Sequence, residues 1–183
     1  MTQLEVELLF GPSGAGKSTI ARHVEARELR QVFFVGDKCR QLAQQGRLSA
    51  ADTVAIETGV PLSVAAINLA LDELSLGQKP TMRVLIDGPP RSEEQARSLA
   101  ARFRISRIYR LIVPDAILVA RLIARYRTES RADDLPAHAK AKIFAFRDQE
   151  DSMLENLKGI PTNEIRYPAS YKAVLQVIRQ FTR

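Results

Sequence analysis

Residues 6–18 read VELLFGPSGAGKS, and the last eight of them, Gly11 to Ser18, satisfy the spacing GxxxxGK[ST]. Val6 to Phe10 reads as a short apolar strand, and Ser18 to Arg27 has helix-forming residues throughout. A glycine-rich turn between a strand and a helix is the setting in which this spacing grips phosphate. Gly11, Gly14 and Gly16 allow backbone angles and close approaches that a side chain would forbid, so successive amides and the helix amino terminus can surround phosphate oxygens. Lys17 would reach the β- and γ-phosphates and the Ser18 hydroxyl would ligate Mg²⁺. Ser13, Ala15 and Thr19 complete the segment expected to line an ATP site.

Outward from this unit the pattern alternates. Val32 to Val35 gives a second short strand, and Asp37 stands where it could cap a helix running to Gln45. Val64, Ile67, Leu71 and Leu74 fall on one face of a helix from Ser63 to Leu74, ended by Gly77 and Pro80. Val84 to Ile86 is a buried strand, Ser92 opens a helix to about Phe103, and Ile105 to Val113 returns to strand. Asp115 is positioned to cap a helix to about Arg127. A long helix over about 136–157, a strand at Ile165 to Tyr167 and a helix from Tyr171 to Phe181 finish the chain. Strands and helices in alternation predict an α/β fold, a three-layer α/β/α arrangement around a parallel sheet. No repeat or linker divides residues 1–183, so one domain is expected.

The net charge is +6, with 20 Arg against 7 Lys among the 27 basic residues. Planar guanidinium groups grip phosphate in bidentate fashion, whereas Lys would serve solubility equally well. The bias implies a polyanionic partner, nucleotide or nucleic acid. Arg102, Arg104, Arg107 and Arg110 form a basic cluster, but no aromatic side chains interleave it as a stacking platform would. They read as a solvated helix end and strand edge, and a nucleic-acid partner is not expected. A single Cys39 cannot form an internal disulfide and reads as a packed apolar residue. His23 and His138 read as exposed helix residues. The start MTQLEVELLFGPSG has no basic leader, and no apolar run approaches a membrane span of about 20 residues. A cytoplasmic protein without a membrane partner is expected.

Residues 84–99, VLIDGPPRSEEQARSL, resemble the DGFPR-and-Gln signature of adenylate kinases. VGDKCR at 35–40 is similar to the family's TGDxxR segment, and Gly46 and Gly59 fall where its acceptor-binding subdomain has glycines. VPDAILVARLIAR at 113–125 resembles its VPDxxxxxRxxxR helix, and RADD at 131–134 its lid-closing RxDD. The likeness runs in the family's own order from about residue 5 to 147. It implies a P-loop kinase fold with a small helical acceptor-binding insertion at about 36–66 and a short lid at about 126–134, too short to bind zinc.

By this resemblance the reaction is reversible, Mg²⁺-dependent phosphoryl transfer from ATP to a nucleoside monophosphate, with AMP the leading acceptor, carried out by a monomer. Lys17, Arg91, Arg125, Arg131 and Lys142 would be catalytic, and Arg121 would join Arg125 on the donor. Val35, Gly36, Arg40, Gly88, Arg91, Gln95, Arg131 and Lys142 would contact the acceptor. Arg40 and Arg91 would hold its α-phosphate and Gln95 its base. Asp87 would organise Mg²⁺ through water, with a turn cap as its plainer reading. Three positions depart from the pattern. Val35 replaces a common hydroxyl residue, Pro89 replaces the aromatic of DGFPR, and Lys142 replaces an Arg and cannot form its bidentate fork. They keep two alternatives open: a kinase acting on UMP, CMP or another small metabolite, and a nucleotide-gated binding protein without catalysis.

Overall fold

Strand segments satisfy their backbones by pairing with one another, and five do so here, Glu5–Phe10 and Val84–Asp87 buried on both faces and the edge strands only in part. The computed structural model describes residues 3–76, 83–129 and 135–180. The strand β1 (Glu5–Phe10) lies at the centre of a five-stranded, all-parallel sheet. Beside it run β3 (Val84–Asp87) and β4 (Arg104–Ile112), with β2 (Gln31–Phe34) outside β3 and β5 (Thr162–Arg166) outside β4. The spatial order is therefore β2-β3-β1-β4-β5.

Alternation along the strands sends side chains to two cores. On one face Val6, Leu8, Phe10, Val84, Ile86 and Ile108 pack against α2 (Val35–Gln44), α4 (Val64–Leu76) and α5 (Glu93–Arg102). On the other, Leu9, Leu85, Tyr109 and Leu111 meet α1 (Lys17–Glu25), α6 (Asp115–Glu129) and α8 (Tyr171–Arg179). The 21-residue α7 (Pro136–Asn156) serves both, Ile143 entering the second core and Phe146 the first, where its ring lies 5.4 Å from that of Phe10. The three-layer α/β/α reading is thus the observed fold. Because α1 and α5 leave neighbouring strands for opposite faces, a crevice opens at the carboxyl ends of β1 and β3, the switch point where ligands bind in such sheets.

Several local expectations need correcting. The helix α2 starts at Val35, directly after the strand, so Asp37 sits in its first turn and does not cap it. The carbonyl of Pro114, not the side chain of Asp115, opens α6, and the Asp115 carboxylate instead receives Arg147. A helix that the periodicity does not announce, α3 (Ala50–Thr58), is capped by Ser49 and ended by Gly59. Asp52 is its one buried side chain, so it carries no apolar stripe to read. The strand β5 begins at Thr162, before the Ile165 expected, because Ile165 is its single buried residue. Gly77, Pro80 and Phe181 lie outside the described residues, as do residues 130–134 of the expected lid; residues 126–129 are the last turn of α6.

The arginine cluster is not simply solvated. Arg102 pairs with Asp72, Arg104 with Glu5, Arg107 with Asn163, and Arg110 with Glu150 and Glu164. Both histidines are half-buried rather than exposed, whereas Cys39 is packed as expected, and burial pushes its thiol up to about 11.

One fully buried acid interrupts the apolar run of β1. Glu7 is 1% exposed, and Arg30 grips it with two bonds, Nε to Oε2 at 2.9 Å and a terminal nitrogen to Oε1 at 3.2 Å. Removing one partner strands a charge away from water, so Glu7→Ala is expected to lower the unfolding free energy by about 3–5 kcal/mol. Replacing the pair together, Glu7→Leu with Arg30→Met, should recover most of that in the same denaturation measurement.

Candidate active site

The turn after β1 has the backbone geometry that its glycines permit. Gly14 has φ +82°, and a Cβ there would stand 3.0 Å from the carbonyl oxygen of Leu118, so the loop can lie against α6 only without a side chain. Gly16 begins α1 with no side-chain cap, which leaves the amides of the first turn for an incoming acceptor. Lys17 folds back over the loop. Its Nζ donates to the carbonyls of Gly11 at 2.6 Å and Pro12 at 2.8 Å.

This loop floors a cleft of about 990 Å³. Its lining includes Ser13 to Ile20 from the loop and α1, Gly36, Asp37 and Arg40 from α2, Asp87, Gly88 and Arg91 from the end of β3, and Arg121, Arg125, Ala169 and Val174. Lys17 is 7% exposed, and burial is the main reason its ammonium is held far below the ordinary lysine range, at about 7. Repulsion from Arg91, Arg125 and Lys142 adds to this, and Asp87 opposes it.

Asp87, at the carboxyl end of β3, is 5% exposed, and its Oδ1 is buried without a hydrogen-bond partner among the described residues. Leaving a carboxylate oxygen dry and unpaired is costly. A hard cation would satisfy it, and Ser18 lines the same cleft with a hydroxyl, so the donor set fits Mg²⁺. Among the described residues no cluster of His, Cys, Asp and Glu offers a second metal site.

Among the residues expected to contact an acceptor, Val35 is buried beneath Gly88, where a Cβ would come within 3.3 Å of the Val35 Cβ. The Arg40 guanidinium is bound to Asp37. Gln95, 1% exposed, uses both ends of its amide inside the protein: Oε1 accepts from the Arg91 amide at 2.8 Å, and Nε2 donates to the Leu62 carbonyl at 2.7 Å. It thereby ties the segment after β3 to the turn before α4. Asp52 fixes the same turn by accepting from the Ser63 amide at 2.8 Å and from the hydroxyls of Ser63 and Ser49. Burial raises the Asp52 pKa, but these hydrogen bonds together outweigh it and hold the carboxyl below its usual range.

That turn walls a second cavity of about 320 Å³, mostly apolar, between Thr58 to Pro61 and the α7 residues His138, Ala141, Lys142, Ala145 and Phe146. Ser13 and Arg91 line both spaces. The structure therefore gathers the loop residues, Gly36, Arg40, Asp87, Gly88, Arg91, Arg121 and Arg125 around the cleft, and places Lys142 on the smaller cavity. Arg131, Asp133 and Asp134 lie outside the described residues. Val60 and Pro61, and Tyr167 beside Arg121, are additions that the sequence reading does not single out, and His138, expected to be an exposed helix residue, lines the smaller cavity. They belong to segments far apart in the chain, and no spacing links them.

The AAA domain family model matches residues 10–140, from the end of β1 into α7. Over 159 residues, 83% of this chain and 83% of the relative, the sequence is 31% identical to the adenylate kinase of Phenylobacterium zucineum. The chain belongs to the adenylate kinase family. It is also 28% identical to the adenylate kinase of Deinococcus deserti, over 87% of each chain, and 33% identical to that of Cyanothece sp., over 76% of this chain and 74% of the relative. As a member of the family it is a nucleoside monophosphate kinase, a nucleotide-binding phosphotransferase built on a P-loop.

A triphosphate arriving at a Lys17 that is mostly neutral should restore its proton. At pH 8, above the folded-state value of about 7, ATP binding is expected to take up protons, and this uptake should fade at pH 6, where Lys17 is already charged. Calorimetric titration in buffers of different ionisation enthalpy reads this directly; a binding enthalpy independent of buffer at pH 8 would contradict the assignment.

Proposed function

We propose that this kinase transfers the γ-phosphoryl group of ATP reversibly to AMP, with Mg²⁺, giving two ADP. The observation that carries the reading is the meeting of the large cleft and the smaller cavity at Ser13 and Arg91, beside Lys17 and Asp87. Two phosphate-bearing substrates entering from the two sides would bring their phosphates together there. The lone buried thiol suits a reducing cytoplasm.

In this reading the loop amides and Lys17 bind the donor's β- and γ-phosphates, and Arg121 and Arg125 hold its far end. Ser18 would hold Mg²⁺ directly and Asp87 through water, and the ion would offset negative charge on the triphosphate. Arg40, Arg91 and Lys142 orient the acceptor phosphate. Its oxygen attacks the γ-phosphorus in line, the bond to the β–γ bridging oxygen breaks, and ADP leaves with that electron pair. No covalent enzyme intermediate is needed, so the protein's task is alignment and charge stabilisation. The insertion at about 36–66 and the lid at about 126–134, with Arg131, would close over the pair and exclude water. For Gln95 to read the acceptor base, its bond to Leu62 is exchanged for one to the base.

Diphosphate formation measured from ATP and Mg²⁺ with AMP, UMP, CMP, GMP and dTMP in separate reactions, against a no-acceptor control, tests this. Turnover is expected with AMP and lost on chelation of Mg²⁺. Lys17→Ala and Arg91→Ala should each reduce it at least about 100-fold while the folded spectrum persists. Preference for a pyrimidine nucleotide would reassign the acceptor, and transfer surviving either substitution would refute the site assignment.

A further inference from the structure

One face of α7 seats the helix: Ala139 and Ile143 are buried in the second core, and Phe146 packs on Phe10 in the first. That seating leaves His138, Ala141, Lys142 and Ala145 to line the smaller cavity. His138 and Lys142 are four residues apart, so they stand one turn apart on the helix surface, with about 5–6 Å between their Cβ atoms. The cavity is mostly apolar, its lining includes the cations of Arg91 and Lys142, and none of the described residues lining it is acidic. Lys142 is 8% exposed. Two cations in an apolar space without an acid in its walls suit an anionic ligand.

We propose that His138 binds the phosphate of the acceptor, its Nε2–H donating to a phosphate oxygen beside the ammonium of Lys142. The proposal rests on the reading that the acceptor monophosphate lies in the smaller cavity with its phosphate towards Arg91. The imidazole is half-buried, and its Nδ1 is buried without a hydrogen-bond partner among the described residues. A neutral imidazole carries its proton on one nitrogen and accepts at the other. Buried N–H groups are left without a partner more rarely than buried acceptors, so the proton belongs on Nε2. That nitrogen is then a donor for the cavity that His138 lines. Lys142 offers a compact point charge on a flexible stem, and the planar imidazole one turn away adds an N–H of fixed direction. A phosphate monoester has three terminal oxygens, enough to accept from His138, Lys142 and Arg91 together.

The test is equilibrium binding to the full chain, with AMP, UMP and adenosine as probes, so no turnover is required. His138→Ala is expected to weaken each monophosphate that the wild type binds by about 10- to 100-fold, and to leave adenosine, which has no phosphate, unchanged. His138→Gln, whose amide can present an N–H near the place of Nε2, should bind AMP nearly as the wild type does. His138→Phe, which keeps a ring without the N–H, should bind it as weakly as His138→Ala. Three results would overturn the proposal: unchanged monophosphate affinity in His138→Ala; equal weakening of AMP and adenosine, which would mean that the residue shapes the cavity and does not touch the phosphate; or full affinity in His138→Phe, which would mean that only the bulk of the ring matters. A wild-type chain that prefers UMP to AMP corrects the acceptor base and leaves this contact standing, whereas one that binds neither removes the acceptor cavity and the proposal with it.

Discussion

An ammonium group with little access to water, held by the carbonyls of Gly11 and Pro12 while Arg91, Arg125 and Lys142 repel it, is an arrangement that wants an anion. Asp87 offsets only part of that repulsion, and its Oδ1 is itself left without a hydrogen-bond partner among the described residues. Cationic and anionic groups are both poorly compensated by the protein here, and a phosphate chain carrying a divalent cation would satisfy both. Elsewhere arginines are matched to acids: Arg30 to Glu7, Arg102 to Asp72, Arg110 to Glu150 and Glu164, and Arg147 to Asp115 and Glu150.

The sheet makes this concentration possible. The central strand β1 delivers the loop, its neighbour β3 delivers Asp87 and Gly88, and the departing helices diverge to opposite faces, so the crevice needs no side chains to prop it open. Gly14 lets the loop lie against Leu118, and Gly88 lets the segment after β3 lie against Val35. Close backbone contact on both sides sets the width of the cleft. The hydrogen bonds of Gln95 and Asp52 then fix the turn before α4, so the wall of the smaller cavity is tied to Arg91, the residue both spaces share.

Departures from the family pattern take on physical meaning in this setting. Val35 is buried under Gly88, so an apolar residue at that position seals the joint between α2 and the segment after β3. Lys142 lines a mostly apolar cavity, where its compact, strongly hydrated ammonium is costlier to desolvate than a guanidinium and offers a point charge in place of a planar fork. Pro89 precedes Pro90 in the short segment between Gly88 and Arg91, and the two fixed φ angles stiffen it.

The phosphate loop was legible because its determinants are contiguous: a strand, three glycines, a lysine and a helix start are local features whose backbone consequences follow from residue type. The alternation of strands and helices, and with it the parallel sheet, was legible for the same reason, since apolar periodicity records burial. The helix α3 was not, because it buries only Asp52 and leaves no periodic stripe, and Asp37 and Asp115 were misread as caps because a nearby residue already opened each helix. Which face each helix takes, the bond from Glu7 to Arg30, the anchoring of Gln95 on Leu62, the pairing of Arg121 with Tyr167 and the meeting of the two cavities were decided by tertiary structure alone. Each joins residues whose separation in the chain carries no signal, and only the packing of helices on a twisted parallel sheet brings them within bonding distance.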